Sequence, residues 1–146
     1  MGNISILRNA LEAYDGKSPA ILSEISAQHQ NRASLISDLV TLALDAEQHI
    51  SEGATWIIKA QLDQKKTLSE EDVSRLIKGL DGVTAWQAQL HICQCIAHIS
   101  VPPKATPGLE TWLRALLDAQ RPFVRAWALD ALCRLLGASS EPRFLL

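Results

Sequence analysis

A chain of 146 residues with a formal net charge of −2 and 47% hydrophobic residues is the size of one domain, with enough apolar material for a core that needs no staples. The weak acidity excludes a broadly basic nucleic-acid binder, and three cysteines, an odd number set among apolar residues, exclude a disulfide framework and point to a reducing, cytoplasmic setting. No apolar run approaches the roughly 18 residues that a bilayer crossing needs, and no secretory h-region opens the chain, so no membrane is expected as a partner. Met1-Gly2 is followed at position 6 by Ile6, where N-myristoylation requires Ser or Thr.

Residues 1–30 predict one or two helices, around Ile4 to Tyr14 and Pro19 to Gln28, divided by Asp15-Gly16-Lys17-Ser18. Within 31–64, Ser34 to Leu44 sets Leu35, Leu39, Leu42 and Ala43 on one face, and Ile50 to Leu62 sets Ala54, Ile57, Ile58 and Gln61 beside Trp56. In 69–100, Ser69 suits an N-cap and Glu70-Glu71-Asp72 an acidic first turn, ahead of a stripe of Val73, Leu76, Ile77 and Leu80. Asp81-Gly82 breaks that helix, a longer one runs from about Thr84 to Ile99, and Pro102-Pro103 ends it. In 106–137, Thr106 and Pro107 suit the N-cap and first helical position of a helix from Gly108 to Ala119. Its face carries Leu109, Leu113 and Leu116, widened by Trp112 and Leu117. After the turn Asp118 to Pro122, a second helix runs from Phe123 to Leu136 with Gly137 as its C-cap, and 138–146 form a tail. Nothing in the chain reads as a strand.

Val124, Arg125, Ala128, Ala131, Leu132 and Leu135 follow the order Val-Arg, Ala-rich positions, Leu, and a second Leu three residues on. This segment resembles the inner helix of a HEAT repeat; the resemblance is good over 107–137 and weakens toward the N-terminus. An offset of 39 residues sets Leu90 on Leu129, Cys93 on Leu132, Ile96 on Leu135 and Ala97 on Leu136, near the roughly 40-residue period of HEAT and armadillo arrays. The resemblance implies an all-α, right-handed α-α superhelix, a single HEAT-like domain of about three helical pairs behind an N-terminal helical cap. It also implies that Arg125 bonds to Asp118 or to neighbouring turn backbone. The alternative is an ordinary helical hairpin in a compact bundle.

The segment nearest to chemistry is His91 to His98. On a helix His91, Cys95 and His98 share one face, which is the residue set of a zinc site, and an imidazole one turn away could activate the Cys95 thiol. Three ligands on one straight helix diverge over two turns, and no third residue or glycine-rich loop completes a nucleophilic site, so neither a metal nor a cofactor is expected. Gln87 and Gln94 lie on the same side, opposite Leu90, Cys93, Ile96 and Ala97, so this face reads as polar and solvated. No P-loop, Rossmann fingerprint, Gly-x-Ser-x-Gly or His-Glu-x-x-His motif occurs, so no catalytic residue is assigned.

On the last helix Trp127 falls on an arc with Asp130 and Arg134, opposite Leu129, Leu132 and Leu136, and exposed Trp with Arg is hot-spot chemistry. Six basic and four acidic residues lie from Lys104 onward, so Arg114, Arg121, Arg125 and Arg134 form either a local anion patch or ordinary solvated arginines and ion pairs. The expected role is a non-catalytic scaffold that binds another protein through Gln87, His91, Gln94, His98, Trp127, Asp130 and Arg134. Trp127, Asp130 and Arg134 also resemble, as a cluster, the aromatic, carboxylate and basic groups of HEAT-like alkylpurine DNA glycosylases, but the charge disfavours nucleic acid. A third alternative is a homo-oligomer whose stack end docks on a second copy, with the terminal Phe144-Leu145-Leu146 as an anchor or a frayed tail.

Overall fold

The computed structural model describes residues 3–139; Phe144-Leu145-Leu146 lies outside them. Among the described residues the protein is all-α, with helices α1 (Asn3–Leu11), α2 (Ala20–His29), α3 (Leu35–Ala43), α4 (Gln48–Asp63), α5 (Glu70–Lys78), α6 (Trp86–Cys95), α7 (Thr106–Leu116) and α8 (Pro122–Ser139). Among them no helix is long and apolar enough to cross a membrane. Short 3₁₀ turns follow α5 at Leu80–Gly82 and α6 at Ile96–His98.

Local chemistry sets most of the boundaries. Ser69 Oγ accepts from Asp72 N at 3.1 Å, which satisfies one free amide of α5, while the acidic first turn complements the positive end of the helix dipole. The end of α4 is closed by Lys65, the one non-glycine residue at positive φ among those described, with Lys65 N and Lys66 N returning to Leu62 O and Gln61 O. Two expected caps shift. Ala105 takes the N-cap of α7, which puts Thr106 and Pro107 inside the first turn, a place proline tolerates because those amides have no partner in the helix. Gly137 does not end α8, which continues to Ser139.

The helices pack in two alternating rows. α4 lies against α6 and α6 against α8; α3 lies against α5 and α5 against α7; the rows meet where α3 covers α4 and α7 covers α8. α1 and α2 close the first end by packing on α4 and on each other. α4 is therefore packed against four helices, α1, α2, α3 and α6, and it buries Ser51, Glu52, Thr55 and Gln61 along with Ile50, Ala54, Ile57, Ile58 and Leu62. Three of these polar groups are bonded inside: Ser51 Oγ donates to Ala43 O at 2.6 Å, Thr55 Oγ1 to Ser51 O at 2.9 Å, and Gln61 Nε2 to Ser26 Oγ at 2.7 Å. Gly53 lets α1 and α2 approach, since a Cβ there would lie 3.0 Å from Leu11 Cδ2 and 3.1 Å from Leu22 Cδ2.

Candidate functional site

The polar stripe of α6 faces protein, which corrects its reading as a solvated face. Gln87 Nε2 donates to Gly16 O at 3.1 Å, and Tyr14 Oη donates to Gln87 Oε1 at 3.4 Å, so Gln87 ties the loop after α1 to α6. His91 Nδ1 lies 2.9 Å from Thr55 Oγ1. Thr55 Oγ1 also lies 2.9 Å from Ser51 O and 3.0 Å from Glu52 O, and which of Thr55 and Nδ1 donates follows the imidazole's tautomer. Burial pushes the His91 pKa down from 6.5 to about 4, helped by the positive charge of Lys59. Gln94 is partly buried, and only His98 stands in water, with Nε2 3.6 Å from Asp63 Oδ1. The opposite face is also less uniform than expected: Cys93 and Ile96 are buried, Leu90 is half-buried, and Ala97 is exposed in the 3₁₀ turn.

The cysteines of α6 are buried thiols. Burial pushes Cys93 and Cys95 up to about 12, so no thiolate is held at neutral pH and His91 cannot serve as an activating imidazolium. Among the described residues no three His, Cys, Asp or Glu side chains group as a metal ion would need, and His91, Cys95 and His98 diverge: His91 meets Thr55, Cys95 is buried, and His98 meets Asp63.

On α8 the buried face is Val124, Ala128, Ala131, Leu132 and Leu135. Trp127 is half-buried against the core instead of standing on an exposed arc, and Leu129, expected inside, is 53% exposed, as is Phe123 at 72%. Nearly every turn of this helix is apolar, so periodicity alone does not mark its inner side. Asp130 and Arg134 form an i, i+4 ion pair at 2.9 Å on the flank next to Trp127. The other arginines are also engaged. Arg114 pairs with Glu110 at 2.8 Å, Arg125 Nη1 donates to Ala119 O at 2.7 Å and Gln120 O at 3.0 Å, and Arg121 Cζ lies 3.9 Å over the Trp86 ring. Arg125 therefore clasps the turn backbone, and Asp118 is not its partner.

Among the described residues, two clefts lie beside α8. The larger, about 740 Å³, is mostly apolar; Ile96, Ile99 and Val101 line it beside Pro107 of α7 and Leu135 of α8, with Arg134 among its lining. The second, about 510 Å³, opens where the first turns of α4, α6 and α8 converge, between Gln48 and Glu52 of α4, Trp86 and Gln89 of α6, and Asp118 and Arg121 of the turn before α8. Residue reading missed this cleft because its groups come from three segments far apart in the chain. In the sequence Glu52 is one of several polar residues of α4, close to Gln48, His49, Ser51 and Thr55, so nothing set it apart.

Of the expected site residues, then, Trp127, Asp130 and Arg134 share the flank of α8, while Gln87 and His91 are engaged within the fold and Gln94 and His98 belong to the same α6 stripe. Comparison of the chain with protein-family models, curated proteins and solved structures finds no match.

Proposed function

We propose that this chain is a HEAT-like helical-repeat scaffold, a short right-handed α-α superhelix, that binds another protein through the outer surface of α8. The observation that carries the reading is the apolar strip on that helix: Leu129 is 53% exposed, and Ala126 and Cys133 stand exposed beside a half-buried Leu136. At about 100° per residue these four share one face, with Trp127, Asp130 and Arg134 along its edge. An apolar strip rimmed by aromatic and charged groups is the composition of a protein-binding surface.

The repeat reading draws support from burial. The 39-residue offset sets several buried positions in and beside α6 on buried positions of α8, Ala85 on Val124, Ile92 on Ala131, Cys93 on Leu132 and Ile96 on Leu135, while buried Ala88 and Cys95 fall on half-buried Trp127 and exposed Arg134. Half-buried Leu90 in α6 corresponds to exposed Leu129 in α8; α6 packs against both α4 and α8, whereas among the described residues no helix packs on α8 from its other side.

The test is affinity capture from the native source with nuclease present, comparing the unaltered chain with Leu129→Lys and with Trp127→Ala/Arg134→Ala. The expected result is a protein retained stoichiometrically by the unaltered chain and bound at least tenfold more weakly by both variants at unchanged circular dichroism. Equal retention by all three removes α8 as the surface, and nuclease-sensitive retention moves the reading to nucleic acid.

A further inference from the structure

The cleft at the first turns of α4, α6 and α8 contains an uncompensated carboxylate. Glu52 is only 8% exposed, yet its side chain accepts no hydrogen bond and forms no ion pair with any described residue. His49 is the group that attracts it through space, beyond ion-pairing distance, and burial raises the carboxyl above its ordinary 4.5. Its oxygens keep contact with water at the mouth of the cleft, since the one buried side-chain polar atom without a partner among the described residues is Arg32 Nε, so an incoming cation can reach them. The Glu52 carboxyl sits beside Gly16, whose missing side chain leaves a space next to Oε2, and it lines the 510 Å³ cleft.

The other walls have matching chemistry. Trp86 presents its ring, Asp118 adds a second carboxylate, and the amides of Gln48 and Gln89 complete a polar lining. The Trp86 ring already receives a planar cation, since Arg121 Cζ stands 3.9 Å from its centroid, and Arg121 makes no ion pair among the described residues. A buried acid and an aromatic face, with a side-chain cation that can swing out, together form a receptor for positive charge, where desolvation strengthens both the Coulomb and the cation–π attraction.

We infer that this cleft binds an organic cation, the ammonium or guanidinium of a partner's basic side chain or of a small amine, with Glu52 as counter-ion and Trp86 as the stacking face from which Arg121 is displaced. This site stands apart from the α8 surface and does not depend on it.

The experiment uses the full ¹⁵N-labelled chain and follows the Trp86 indole N–H, assigned with Trp86→Phe. It is titrated separately with the methylamides of N-acetyl-lysine and N-acetyl-arginine, with putrescine, and with neutral N-acetyl-norleucine methylamide. The expected result is a saturable shift with the cations and none with norleucine, weakened at least tenfold in Glu52→Gln and tightened severalfold in Arg121→Ala, an exposed position whose truncation leaves the fold intact. Tighter binding of the lysine or arginine amide assigns the cation to a partner's side chain, and tighter binding of putrescine assigns it to a free amine. The inference is overturned by no saturable shift, by equal binding of norleucine, or by a folded Glu52→Gln that binds as the unaltered chain does. If Glu52→Gln does not fold, unchanged or weaker binding by Arg121→Ala overturns it instead.

Discussion

At the scale of single residues, the polar groups on α6 show how a side chain that reads as surface becomes part of the interior. His91 is held by Thr55 as a neutral imidazole, near the charge of Lys59. In the unfolded chain it takes a proton near 6.5, whereas in the folded chain it does so only at about 4, so between these values the unfolded state binds more protons. Its contribution is fully present above about pH 6.5 and is lost as pH falls toward 4, a loss on the order of 2 kcal/mol after allowance for partial exposure. Urea unfolding at pH 7, 5.5 and 4.5 should show this decline in the unaltered chain and a flatter profile in His91→Asn, whose amide keeps a donor toward Thr55; parallel profiles would exclude His91 as the cause. The thiols give a second check. Cys133 is exposed while Cys93 and Cys95 are buried, so an aromatic disulfide reagent at pH 8 should titrate one thiol quickly and the other two only after denaturant is added. The failure to read this stripe from sequence has a simple physical cause: Gln87 and His91 are satisfied by Gly16 and Thr55, partners 71 and 36 residues away, and periodicity carries no record of such pairs.

At the scale of helices, sequence reading works where one face is apolar and fails where the helix is apolar all round. α3, α5 and α7 each bury a single stripe, Leu35, Leu39 and Leu42, then Val73 and Leu76, then Leu109, Leu113 and Leu116, and each was legible from its spacing with boundaries close to those observed. In α8, with leucine or alanine on nearly every arc, the inner side is decided by its neighbours α6 and α7, so Leu129 and Trp127 exchange the environments expected of them. Two glycines inside helices separate packing from propensity. Gly137 lies in α8 with nothing within 4 Å of the place a Cβ would take, so Gly137→Ala should stabilise by about 0.5 kcal/mol or somewhat more, the ordinary helix gain. At Gly53 the same gain is opposed by overpacking of about 1–3 kcal/mol, because Leu11 Cδ2 and Leu22 Cδ2, on two fully buried side chains, lie 3.0 and 3.1 Å from the place a Cβ would take. Gly53→Ala should therefore be neutral or destabilising by about 1 kcal/mol in chemical denaturation, opposite in sign to Gly137→Ala, and a stabilised Gly53→Ala would show that Leu11 and Leu22 can yield to an added methyl group.

At the scale of the whole molecule, the order of the helices was legible, and the 39-residue offset already matched α6 with α8, second neighbours in the chain, but the part α4 plays in the same row was not, because the repeat pattern weakens toward the N-terminus. α5 lies between α3 and α7, and α6 between α4 and α8. This arrangement has a consequence for stability that separates an array from a globular bundle. In an array each unit is held chiefly by its neighbours, so free energies of opening grade from the ends toward the middle; in a bundle with one shared core all helices open together. α4, buried against α1, α2, α3 and α6, sits deepest, whereas α1 and α2 find their main support in α4 and in each other. Hydrogen exchange followed by mass spectrometry should accordingly give the slowest amides in α4, intermediate rates in α3 and α6, and a cooperative early opening of α1 with α2. Because α1 and α2 meet α4 at Gly53, Gly53→Val should lower protection in α1 and α2 far more than in α8, which shares no packing face with that glycine. Uniform protection from α1 to α8, lost everywhere at once in Gly53→Val, would instead mark a single cooperative bundle and would remove the array as the frame for α8's open face.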